Sequence, residues 1–108
     1  MSIEKQNSLP LSGIRVLEFV HMVMGPACGL MLADLGAEVI KIEPIPQGDN
    51  TRRLMGSGAG YWMTYNRNKK SLSVDIKTEK GMNLVKELIA TADIVIENFR
   101  PGAMKKLG

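Results

Sequence analysis

The strongest constraint on this chain is a strand, a helix and a second strand compressed between Ile14 and Pro44. IRVLEFV (Ile14–Val20) is β-branched and aromatic, the composition of a buried strand. In the HMVMGPACGLMLADLGAE stretch that follows, Gly25 permits a tight turn, Pro26 fits a first helical turn and Gly36 suits the helix C-cap. Ala27 to Leu35 is apolar nearly all round, which predicts a short helix buried against a sheet and a neighbour. EVIKIEP (Glu38–Pro44) supplies a strand with Val39, Ile40 and Ile42 apolar, stopped by Pro44. A crossover through one helix makes the two strands parallel and the connection right-handed.

The alternation continues downstream. From Pro44 to Gly60, Pro46 and several glycines with Asp49, Asn50 and Ser57 predict a long surface loop, of the kind that lines a site or an interface. GYWMTYN is either a short helix or an irregular pack against the core. SLSVDI (Ser71–Ile76) alternates, placing Leu72, Val74 and Ile76 on one face of a strand. Thr78 then caps a helix with Glu79 in its first turn; Met82, Val85, Leu88 and Ile89 recur at helical spacing, and Lys80, Lys86 and Glu87 fall on the wet side. DIVIEN (Asp93–Asn98) is a fourth strand, and RPGAMKKLG begins a turn and a helix. The fold class is therefore α/β, a doubly wound or Rossmann-like parallel sheet with flanking helices. Residues 1–12 form a loose polar arm ahead of a domain over residues 13–108. Ligands in such sheets bind beyond the C-terminal strand ends, so His21–Gly25, Pro44–Gly60 and Asn98–Gly102 are the loops that matter.

With 108 residues, 44% of them hydrophobic, the chain can bury one core but not two. Its net charge of +3 is unevenly spread: residues 1–50 carry three Lys/Arg against six Asp/Glu, and the rest eleven against five. An anionic partner would meet the second half. Cys28 is the only cysteine, so no intrachain disulfide can form and a cytoplasmic location is expected. No apolar run approaches the ~20 residues of a spanning helix, and MSIEKQNSLPLSG has Glu4 and no apolar signal-peptide core, so neither membrane insertion nor export is expected. Two Phe, two Tyr and one Trp are too few for an RNA-stacking platform, and no motif supports nucleic-acid binding.

The first turn imitates a dinucleotide fingerprint, with Glu43 as the acid closing the next strand. Only Gly25 and Gly29 are glycines there, however, and Pro26 deletes an amide donor, so NAD binding is disfavoured and Glu43 reads as a solvated strand end. His21 is the only histidine and follows the first strand, where it could contact a substrate or exchange a proton, or be structural; no neighbouring Asp, Ser or Cys completes a triad. Cys28 reads as inert packing, and one Cys with one His leaves too few ligands for zinc, so no metal site is expected. Met31 and Met82 fall on core stripes, while Met22 and Met24 flank His21 and either line an apolar acyl pocket or merely pack.

A basic cluster, Arg67, Lys69 and Lys70, precedes the third strand; Lys77 follows it, and Arg100, Lys105 and Lys106 lie beyond the fourth. If those strands are parallel neighbours, Lys77 and Arg100 emerge together and could neutralise phosphates, with Asn98 and turn amides as uncharged donors. A solvated basic face fits the charge pattern equally well. In either case Arg67, Lys69 and Lys70 sit at the wrong end of a strand for a ligand site and suit loop packing or a subunit contact.

LSGIRVLEF, GPACGLMLADLGAEVIKIEP, GDNTR (Gly48–Arg52), NRNKKSLSVDIKT and ADIVIENFRPG, in this order, together resemble the N-terminal region of the family III CoA-transferases. That family also includes carnitine CoA-transferases and acyl-CoA racemases. The resemblance implies that residues 13–108 are the N-terminal part of a CoA-binding Rossmann-like domain, an incomplete piece of a larger fold. It implies CoA contacts at Val74, Asp75, Ile76 and Lys77, at Asn98, Phe99 and Arg100, and at Lys106, with His21 lining the active site. CoA or acyl-CoA would be a substrate, with a carboxylic acid as the other, and no tightly bound cofactor. The nucleophilic aspartate that attacks the thioester lies downstream in the family, and Asp34, Asp49, Asp75 and Asp93 do not match it, so the isolated chain is expected to be inactive. An interlocked homodimer is implied for the full-length protein. Val23, where the formyl-CoA branch has Gln, and Pro44, where some members have a CoA-binding Arg, point to another acyl acid. The alternatives are an acyl-CoA racemase or epimerase of the same family, and a noncatalytic nucleotide-binding module.

Overall fold

In the computed structural model, which describes residues 9–56 and 58–108, Val16 pairs with Val39 and Leu17 with Ile40. This register sets β1 (Arg15–Phe19) parallel to β2 (Glu38–Glu43), with α1 (Met24–Asp34) as the crossover. Residues 1–8 of the expected arm, and Ser57, lie outside the described residues.

The chain next adds β3 (Lys70–Ser73) outside β2, then returns past α3 (Glu79–Thr91) to lay β4 (Ile94–Glu97) on the other side of β1. The order β3-β2-β1-β4 is all parallel. Growth reverses between β1 and β4, the switch point beyond whose carboxyl ends ligands bind in parallel sheets. Lys77 and Arg100 share that carboxyl edge, but β3 and β4 are its two outermost strands, with β2 and β1 between them. The condition that they be neighbours is not met.

Each face of the sheet is covered separately. Leu17, Phe19 and Ile42 meet Val85 and Leu88 of α3, along with Val74 and Ile76. Burial of each such side chain stabilises by roughly 1.5–3 kcal/mol. On the opposite face Val16 and Val39 meet Ala33 of α1 and Ala37. Thr78 caps α3 as expected, its hydroxyl accepting from Gly81 N–H at 3.0 Å. A short α4 (Ala103–Leu107) closes the described chain.

Several expectations need correction. The third strand ends at Ser73, because β2 stops at Glu43 and offers Val74 one last carbonyl before Asp75 turns away. The segment after Pro44 is not simply a surface loop: it carries a 3-10 turn (Asn50–Arg53) and α2 (Gly58–Tyr65), with Asp49 and Thr51 buried. α2 settles GYWMTYN as a helix. α1 is covered on one side only, so Met31 is 68% exposed and Cys28 is exposed too. Met24, Cys28, Met31 and Leu35 form its outward stripe at helical spacing.

Candidate functional site

Alternation along β1 and β2 places Val16, Glu18, Val39, Lys41 and Glu43 on the α1 face, so that face changes character towards the carboxyl edge. Val16 and Val39 are apolar; Glu18, Lys41 and Glu43, nearer the edge, are charged and at most 1% exposed. Six groups balance there, Glu18, Glu43 and Asp49 against Lys41, Lys69 and Arg52. Lys69 meets Glu18 at 2.8 Å, Lys41 meets Asp49 at 2.9 Å, and Arg52 grips both oxygens of Glu43 at 2.8 Å. Trp62 of α2 lies under the Arg52 guanidinium, 3.8 Å from ring centroid to Cζ.

Glu43 is therefore not a solvated strand end. Burial alone would push its carboxyl up, but hydrogen bonds from Arg52, the Asp49 N–H and Ser71 outweigh that and hold it at about 2. Burial pushes the Glu18 carboxyl up and the Lys69 ammonium down, their mutual attraction opposing both shifts. The basic cluster at the head of β3 is structural: Lys69 is spent on Glu18, Pro26 O and Asn66, Arg67 on Asp34, and Lys70 on Glu38.

Above this layer an open pocket of about 650 Å³ is lined from four directions. β1 supplies Phe19, and the turn after it Val20, His21 and Met22; β2 supplies Ile42 and Glu43, and the segment after it Pro44, Ile45, Asp49, Asn50 and Leu54. Val74, Asp75, Ile76 and Lys77 enter after β3, and Phe99 after β4. Most of the lining is apolar, and Lys77 is an exposed cation that makes no ion pair among the described residues. Its turn is firm: Asp75 accepts from the Lys77 N–H at 3.0 Å, and Thr78 donates to the Asp75 carbonyl at 2.8 Å.

Of the residues singled out in the sequence, His21, Val74, Asp75, Ile76, Lys77 and Phe99 come together in this pocket. His21 and Phe99 stack at 5.7 Å. Asn98 holds the backbone of His21, while Arg100 and Lys106 are exposed and do not line the pocket. Asp34 pairs with Arg67, Asp49 with Lys41, Asp93 accepts from Arg15 N–H and Asp75 from Lys77 N–H, so all four aspartates have structural partners. Among the described residues no group of three His, Cys, Asp or Glu could hold a metal ion. Sequence reasoning missed Glu18, Lys41, Thr51 and Arg52. For Glu18 and Lys41 the available signal was charge at alternate positions inside otherwise apolar strands, which requires partners in a parallel sheet covered on both faces.

Residues 11–108 match the model of CoA-transferase family III. The chain is 47% identical to the CoA-transferase/lyase DddD of Marinomonas sp. (strain MWYL1), covering 98% of this chain and 12% of that protein. It is 40% identical to the succinyl-CoA:glutarate CoA-transferase of Homo sapiens, covering 97% of this chain and 25% of that one. The crystal structure of a mutant of Rv3272 from Mycobacterium tuberculosis superposes with a TM-score of 0.88 at 48% identity, over 94% of this chain and 28% of that one. The chain thus spans about a quarter or less of the two curated relatives' length. The match covers nearly the whole chain, and the chain belongs to CoA-transferase family III, corresponding to the N-terminal portion of its relatives.

Proposed function

We propose that this chain is the CoA-binding region of an enzyme that moves CoA between an acyl-CoA thioester and a free carboxylic acid. The observation that carries the reading is the pocket at the carboxyl edge, which joins an apolar lining to the Lys77 cation, unpaired among the described residues. CoA has those two characters, a long pantetheine arm and a phosphate-bearing nucleotide. Phe19, Val20, Ile42 and Phe99 offer surface to the arm, and Lys77 offers charge to a phosphate. Arg100 and Lys106, outside the pocket, would meet the nucleotide only if it extends along the exposed rim towards β4.

The attacking carboxylate is assigned to the part of the protein beyond these residues, and His21 to the wall of the active site. A cytoplasmic homodimer completes the reading. No helix among the described residues is long and apolar enough to cross a membrane.

The test uses the full-length protein with acyl-CoA and an isotopically labelled carboxylic acid. Label appearing in the thioester supports transfer. Exchange of the α-proton with solvent, without label transfer, would replace it with a racemase or epimerase, and neither outcome with retained nucleotide binding would leave a noncatalytic module.

A further inference from the structure

Three consecutive residues after β1 are held by three side chains from three different elements. Lys41 of β2 donates to the Val20 carbonyl at 2.9 Å. Asn98, just past β4, closes a two-way bridge on His21, its Oδ1 accepting from the His21 N–H at 3.1 Å and its Nδ2 donating to the His21 carbonyl at 2.9 Å. Thr51, fully buried in the 3-10 turn, accepts from the Met22 N–H through Oγ1 at 2.9 Å. Met22 has a φ of 66°, a left-handed conformation that a non-glycine residue keeps only when its surroundings impose it. A Cβ on Gly25 would come within 2.9 Å of Asn98 Cγ and 2.6 Å of Val20 Cβ, so glycine is what lets the bridge close.

We propose that Asn98 and Thr51 are positioning residues that lock the Val20–Met22 turn and so present the His21 ring, stacked on Phe99, to the pocket. The proposal rests on the reading of His21 as a wall of the CoA site. It gives Asn98 a different task from direct CoA contact. Of its two acceptor lone pairs and two N–H donors, one of each is committed to His21, which fixes the plane of the amide. Only one orientation of the amide satisfies both bonds. Thr51 works from the other side, linking the same turn to Asp49, which accepts from the Thr51 N–H at 2.8 Å and pairs with Lys41. The charged layer beneath the pocket and the turn above it are thereby one hydrogen-bonded unit.

His21 is the only histidine, so its ring resonances in the 108-residue chain are unambiguous. Wild type should show NMR contacts between the His21 and Phe99 rings. Asn98→Ala should abolish them and weaken CoA binding by about tenfold, while contacts between Leu17 and Val85 in the core persist. Thr51→Val, which keeps the shape but removes the acceptor, should broaden or shift the same ring signals, and Thr51→Ser should restore them. If Asn98→Ala loses the core contacts as well, the Thr51→Val and Thr51→Ser pair decides by the same signals. Retained His21–Phe99 contacts in Asn98→Ala overturn the proposal, and weakened CoA binding alongside them would mean that Asn98 touches the ligand directly. If wild type binds no CoA, the functional reading fails, and the ring contacts alone still decide whether the turn is locked.

Discussion

Lys69 donates to Glu18 at 2.8 Å, with neither side chain more than 2% exposed. One residue of the basic cluster ahead of β3 is thus buried under α1 rather than offered to a ligand. Burial penalises both charges, pushing Glu18 up and Lys69 down, so each depends on the other. Lys69→Met should cost about 3–5 kcal/mol in urea unfolding. The double change Glu18→Leu with Lys69→Met should recover most of that loss, because no buried carboxylate is left without its ammonium.

Glu43 makes stability sensitive to acid. Its folded pKa of about 2 lies below the ordinary 4.5, so as pH falls the unfolded chain takes up the proton first. The stabilisation is fully present above about pH 4.5 and is lost progressively down to about 2, on the order of 3 kcal/mol in all. Glu43→Gln should flatten the pH dependence in that window. Glu18, raised by burial, acts with the opposite sign and gains stability as pH falls, so Glu43→Gln and Glu18→Gln should shift the acid transition in opposite directions.

Trp62 is the only tryptophan and lies 3.8 Å from the Arg52 guanidinium, which makes its fluorescence a local reporter. Arg52→Lys keeps the charge but loses the two-pronged grip on Glu43 and the flat stack. A red shift of Trp62 emission and a loss of about 1–2 kcal/mol are expected, with far-UV circular dichroism unchanged.

Gly29→Ala tests the packing of α1 over the charged layer. In an open helix this change stabilises by about 1 kcal/mol. Here the new methyl would overlap the Glu18 carboxylate, so thermal unfolding should report net destabilisation.

The strand-helix alternation was legible because it is written in local periodicity. Leu17, Ile42 and Val85 fall where their spacing puts them, and Thr78 caps the helix that it precedes. The charged layer was not legible: whether Glu43 meets water or Arg52 depends on how residues 44–56 fold back, a non-local choice without a periodic signal. The exposure of Met31 and Cys28 was misread for a related reason, since an apolar helix does not say how many neighbours cover it. At the pocket, His21, Lys77 and Phe99 could be placed at the carboxyl edge from strand ends alone. That Asn98 serves His21, and that two strands separate Lys77 from Arg100, needed the strand order.

The most direct test of the account is calorimetric titration of this chain with CoA and with pantetheine, repeated on Lys77→Ala. CoA should bind more tightly than pantetheine, and Lys77→Ala should remove much of the difference while leaving pantetheine affinity unchanged. Equal affinity for the two ligands, or a difference that survives Lys77→Ala intact, would contradict it.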